Sequence, residues 1–214
     1  MPGTLRTKQR EETRRALLRT SRRLFAAKGY GAVGLSEIVA ATGVTKGALY
    51  HNFDSKAALF RAVLDQVQQE VGERVAAAAE AQPDAWSQLV AGCEAFLATC
   101  TAPEIQRIML VDGPAVLGWH EWRAMDEANS ARYLGEALHL LVQEGVLAPQ
   151  PIEPLTHLLS GAMNEAALWL ASTDDPGALA ETTTALHRLL DALRATPPEA
   201  IDPRSAPSRT SPSW

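Results

Sequence analysis

The sequence predicts an all-α protein, with a three-helix helix-turn-helix head at the amino end and a larger helical body behind it, about nine helices in all. Three observations carry that expectation. Apolar residues recur three and four apart along nearly the whole chain, and the alternation of half-buried strands is missing. Gly, Pro, Asp and Ser fall between the periodic stretches, where helices need caps and stops. Charge is divided unevenly: residues 1–61 hold 12 Lys+Arg against 4 Asp+Glu, whereas the remainder holds 8 against 21 and the whole chain has a net charge of −5. A basic head on an acidic body is expected where one part meets phosphates and the other must not. With 214 residues, 46% hydrophobic and 21% charged, the chain has material for one sizeable domain or two small ones.

Taken in order, residues 8–28 fit a first helix, with Leu17, Ser21, Leu24, Phe25 and Lys28 marking its inward stripe and its end, and Gly29 following it. A second helix fits 35–42 and ends at Gly43; a third fits 46–52. Asp54 or Ser55 then caps a long fourth helix to about residue 80. Pro83-Asp84 separates it from a helix ending near Cys100, and Pro103 starts a short one. Asp112-Gly113-Pro114 reads as a break and restart, followed by one long helix over 119–144 that closes at Gly145. After the connector "APQPIEP", two last helices fit 153–172 and 177–195, split by "TDDPG". The domains expected are thus a head over 1–54, a body over 55–196 and a Pro/Ser-rich tail over 197–214 without fixed structure.

The functional signal is densest in "LSEIVAATGVTKGALYHNF", Leu35–Phe53. Leu35, Ile38, Val39 and Thr42 form one face of a short helix, Gly43 permits a left-handed turn, and Val44 plugs the angle between two helices. Thr45 is placed to cap the next helix. There Leu49 and Phe53 point inward, while Lys46 with Tyr50, and Gly47 with His51, lie on other faces. The exposed strip offers a cation, a small gap, a phenol and an imidazole, which suits a helix lying in a DNA major groove.

This region resembles the DNA-binding domain of the tetracycline-repressor (TetR) family of bacterial transcriptional regulators. Phe25, Gly29, Tyr30, Ile38, Gly43 to Tyr50, Phe53, Ser55, Lys56 and Leu59 carry the resemblance, in order, over about 35 positions. It implies that Thr45, Tyr50 and Lys56 hold phosphates, Lys56 with help from the start of the fourth helix. It also implies that Lys46, Gly47, Ala48, His51 and Asn52 face base edges, with Ser36 reaching from the second helix. Two positions depart from the family pattern. Val33-Gly34 stands where a Thr or Ser usually opens the second helix, and Thr42 replaces the usual Ala before the turn glycine.

Beyond residue 60 the resemblance is one of architecture. It implies pairing of two copies through the last two helices, and Leu155, Leu159, Ala162 and Ala166 on one with Leu179, Leu186, Leu190 and Leu193 on the other form stripes suited to it, Gly161 allowing close approach. The same stripes would equally cover the monomer's own core. It also implies a small-molecule cavity, for which Phe96, Met109, Trp119, Trp122, Met163 and Trp169 are the large apolar candidates and Gln66, Glu70, His157 and Asn164 the polar ones. The function expected is a dimeric repressor on a palindromic operator, released by an apolar or aromatic effector. An activator or a ligand-independent regulator of the same fold, or a helical adaptor binding protein, stays open.

Enzyme chemistry is not expected: the chain has no Gly-rich phosphate loop, no serine elbow and no zinc-type spacing. No cofactor and no metal are expected. Cys93 and Cys100, seven apart on one helix, would lie about 10.5 Å apart along its axis, too far for a disulfide, so two buried thiols are expected. No apolar run approaches the roughly 20 residues of a membrane helix, and the charged start has no apolar stretch behind it, so a cytoplasmic protein is the default, associated with the nucleoid when on DNA.

Overall fold

Helical periodicity is realised as ten helices in the computed structural model, which describes residues 2–195; the tail expected over 197–214 lies outside them. The head consists of α1 (Pro2–Lys28), α2 (Leu35–Thr42) and α3 (Lys46–Asn52). The body begins with α4 (Lys56–Glu80) and α5 (Ala85–Cys100). Helix α6 runs through three pieces, Pro103–Gln106, a π-type turn Arg107–Asp112, and Gly113–Leu117. Then come α7 (Trp119–Glu127), α8 (Ser130–Gln143), α9 (Ile152–Ser172) and α10 (Ala178–Asp191). Among the described residues no helix is long and apolar enough to cross a membrane.

The caps are those the sequence signals. Thr45 Oγ1 accepts the Ala48 N–H at 3.1 Å, Ser55 rather than Asp54 caps α4 by accepting the Ala58 N–H at 3.0 Å, and Asp84 accepts the Ser87 N–H at 2.9 Å. Gly34 opens α2 with no side-chain cap; Glu37 sits in that helix's first turn and pairs with Lys28 at 2.6 Å. Thr42 turns its hydroxyl back onto the Ile38 carbonyl at 2.6 Å.

Two expectations are corrected. The long helix over 119–144 is two helices, because Asn129 leaves the helical region (φ −119°, ψ −111°) and its amide donates to the Met125 carbonyl at 2.7 Å, taking the place of a backbone donor. Conversely, Asp112-Gly113-Pro114 does not break the helix. Pro114 has no N–H, and in i→i−5 registry the carbonyl it would leave bare is that of Met109. The buried Trp122 indole N–H donates to that carbonyl at 2.7 Å. Gly113 permits the approach, since a Cβ there would lie 2.8 Å from Trp122 Cδ1 and 3.2 Å from the Ile108 carbonyl.

Helix α5 is the axis of the body, packed against α4, α8, α9 and α10 through Leu89, Phe96 and Leu97. In the head, α1 lies against α2, α4 and α6, with Leu17, Ser21 and Phe25 fully buried as its inward stripe. Leu24 is only half-buried, and Lys28 is exposed. Phe25, Tyr30 and Phe60 form an aromatic triangle with ring centroids 5.1–5.8 Å apart, tying α1, its turn and α4 together.

Candidate nucleic-acid interface and body cavity

Helix α3 is presented from below. Leu49 is fully buried and Phe53 nearly so, with the Arg14 guanidinium 4.5 Å above the Phe53 ring. Gly43, at φ +75°, supplies the left-handed residue that sets α2 against α3. The consequence is that Lys46, Gly47, Tyr50 and His51 are exposed, Tyr50 at 49%. Ser36 is exposed on α2. Ala48 is half-buried at the edge of the strip, and Asn52 donates from Nδ2 to the Ala48 carbonyl at 2.8 Å. The Asn52 Oδ1 is buried without a partner.

Lys56 stands apart from the strip. Its Nζ lies 4.0 Å from the centre of the Tyr30 ring and donates to the Tyr30 carbonyl at 2.6 Å. The N–H of Tyr30 donates to Asp112 Oδ2 at 2.7 Å, and Arg107 Nε is 3.7 Å from that same oxygen. The turn after α1 is therefore held from both sides, by α4 through Lys56 and by the π-type turn of α6 through Asp112.

Between α4, α5, α8 and α9 lies a cavity of about 350 Å³. Its walls are largely apolar, with Val75, Leu89, Phe96, Leu134 and Met163 among them and Tyr133 as a second ring. Of the candidates named from the sequence, Phe96 and Met163 line it. Met109 and Trp122 are buried in the α6–α7 joint instead, and Trp119, 62% exposed, stacks at 5.0 Å on Trp122. Gln66 and Trp169 are exposed, and Glu70 bridges Arg22 and Arg74, each at 2.6 Å. His157 meets Arg123 at 3.0 Å on the surface.

Behind the cavity is a polar cluster that no single residue type announced. Asp126 is buried and takes hydrogen bonds from Arg123 at 2.9 Å, Ser130 at 3.1 Å and Ser160 at 3.3 Å, with Asn164 beside it. Burial pushes the Asp126 carboxyl above its ordinary value, and the Arg123 guanidinium opposes the shift. Asn164 Oδ1 and both amide atoms of Gln68 are buried without partners. The signal was present: Arg123, Asp126 and Ser130 stand three and four apart, at helical spacing, facing a serine on another apolar helix. Cys93 also lines the cavity, its thiol pushed up to about 12 by burial, and both cysteines are unpaired.

Residues 17–63 match the model of bacterial regulatory proteins of the tetR family, and residues 86–193 match the tetracyclin repressor-like carboxy-terminal domain. The chain belongs to the TetR family. A TetR-family transcriptional regulator from Pectobacterium atrosepticum, known from its crystal structure, is 35% identical, with a TM-score of 0.73 over 89% of this chain and 98% of its own. The HTH-type transcriptional repressor Rv1474c of Mycobacterium tuberculosis is 31% identical over 78% of this chain and 87% of its own. The HTH-type transcriptional activator FasR of Mycolicibacterium smegmatis is 37% identical over 41% of this chain and 40% of its own. The protein is thus a TetR-family transcriptional regulator and not an enzyme.

TetR-family regulators typically act as dimers, and the last two helices show which faces this monomer leaves over. Leu159, Leu186 and Leu190 are buried in the monomer's own core, and Leu155, Ala166 and Leu193 are half-buried. The outward stripe is displaced by about one residue, some 100° round each helix. It consists of Leu158 (71% exposed), Gly161, Ala162 and Trp169 on α9, with Leu179 and Leu189 on α10.

Proposed function

We propose that this chain is a homodimeric repressor whose two α3 helices enter successive major grooves of a palindromic operator, and that a small apolar or aromatic effector bound in the body cavity releases it. The observation that carries the proposal is the exposed strip Lys46, Gly47, Tyr50 and His51 on a capped helix anchored by Leu49 and Phe53, in a head rich in cations. In this scheme Lys46 donates to guanine O6 or N7, Ala48 packs against a thymine methyl, and His51, Gly47, Asn52 and Ser36 complete the base-facing surface. Thr45 and Tyr50 hold phosphates; Lys56 adds a charge to them while fastening the Tyr30 turn.

The dimer forms through Leu158, Ala162 and Trp169 of α9 and Leu179 and Leu189 of α10, packed against the same face of a second copy. Helix α4 starts beside Lys56 and ends at the cavity with Val75, Ala76, Ala79 and Glu80, so it is the lever between them. An effector that binds best when the two heads are splayed lowers DNA affinity by the factor by which DNA lowers its own. The repressor of M. tuberculosis, similar over most of the chain, supports repression; an activator shares the shorter stretch described above.

The test is selection of bound DNA from a random pool by the full chain, followed by deletion of the gene. Expected are an inverted repeat, affinity falling about 0.9 log units per log unit of salt for each phosphate neutralised, and raised transcription beside the site. A non-repeating site or a flat salt response contradicts the proposal, and lowered transcription makes the protein an activator.

A further inference from the structure

The cavity's polar chemistry is one-sided. Ser130 and Ser160 both line it and both are more than nine-tenths buried. Neither hydroxyl proton is available to a guest, because each is donated to the Asp126 carboxylate. Ser160 Oγ also accepts from Arg123 Nη1 at 2.9 Å. What the two serines turn toward a guest is oxygen lone pairs. Two carboxylates, Glu80 and Glu136, are also among the lining residues, and no Lys, Arg or His is. Phe96 and Tyr133 supply aromatic surface, and 350 Å³ lies within the range of small-molecule sites.

From this we infer that the cavity selects an aromatic molecule of one or two rings bearing a hydroxyl or N–H donor, and rejects carboxylates of the same shape. The inference rests on the cavity being the effector site. A donor group reaching Ser130 Oγ completes a chain of hydrogen bonds that already ends on the Asp126–Arg123 pair, whereas an anion would face lone pairs and carboxylates with no cation to receive it. Asp126 and Arg123 are positioning residues here: they fix the direction in which the serines point their protons.

Three matched probes test this by calorimetry on the full chain: naphthalene, 2-naphthol and 2-naphthoate. Naphthol should bind about 3- to 10-fold tighter than naphthalene, the gain from one buried hydrogen bond, and naphthoate at least about 100-fold weaker than naphthol. Ser130→Ala should cancel the naphthol advantage and leave naphthalene affinity as it was. Naphthoate binding as well as naphthol, or naphthol gaining nothing over naphthalene, overturns the donor rule while leaving the cavity as an effector site. No binding by any of the three overturns the effector site itself. Should Ser130→Ala fail to fold, the ranking of the three probes on the unaltered chain decides alone.

Discussion

The head and the body place their functional groups by different means. In the head, the exposed strip lies on one seven-residue helix, and a left-handed glycine, a threonine cap and two buried anchors orient it. In the body, the cavity takes its walls from four helices separated by tens of residues, and its polar groups are defined by what stands behind them. A surface built by local rules tolerates change below it as long as the anchors hold. A space between helices has no such insulation, since each wall is also core.

The sharpest way to break this contrast is to put the same charge on the two faces of the last helices. Leu190→Asp buries a carboxylate in the monomer's core and should lower unfolding free energy by more than about 4 kcal/mol, enough to prevent folding. Leu158→Asp should leave the monomer folded and convert a dimer to a monomer in sedimentation equilibrium. Two folded proteins, or two unfolded ones, would erase the distinction between inward and outward stripes. Next in size is the head: Lys46→Ala with Tyr50→Ala should weaken operator binding by about 2–4 kcal/mol, roughly 30- to 1,000-fold in anisotropy titrations, with the thermal midpoint unmoved. Undiminished binding would take the strip out of the interface.

Smaller effects sharpen the comparison within the body. Trp122→Phe leaves the Met109 carbonyl without its donor and should lower stability by about 1–3 kcal/mol in urea denaturation; no change would mean that the π-type turn does not depend on the indole. The smallest is a pH slope. Burial raises the Asp126 pKa above its ordinary 3.8, so the native state binds this proton more tightly than the unfolded chain does. Its contribution to stability therefore falls as pH rises from about 4 through the folded pKa, and levels off above it. The stability of the unaltered protein minus that of Asp126→Asn should follow that course, and a flat difference would show that the Arg123 pair cancels burial.

The head was legible because its determinants are nearest neighbours: Gly43, Thr45, Leu49 and Phe53 each do locally what their residue type does best. Most helix boundaries were legible for the same reason. The body resisted where a distant residue decided. Pro114 reads as a restart, yet the chain stays helical because Trp122, eight residues on, satisfies what proline leaves bare. Asn129 reads as mid-helix, yet its amide ends one helix and lets another begin. The large apolar residues of the body are so numerous that periodicity alone cannot separate the wall of a cavity from the filling of a core: Phe96 and Met163 became wall, Met109 and Trp122 filling. Ser130, Ser160 and Asp126 carry the cavity's chemistry through a hydrogen-bond direction, which only folding fixes.

The turn at Arg107–Asp112 winds an additional residue into a helix that touches both regions. Removing one amino acid there would tighten it to ordinary pitch and swing whatever follows through about 100°. Asp112 would leave the Tyr30 amide and Trp122 would miss the Met109 carbonyl in the same motion. The spelling of this segment is thus indexed at two ends at once, and its length is under tighter constraint than its composition.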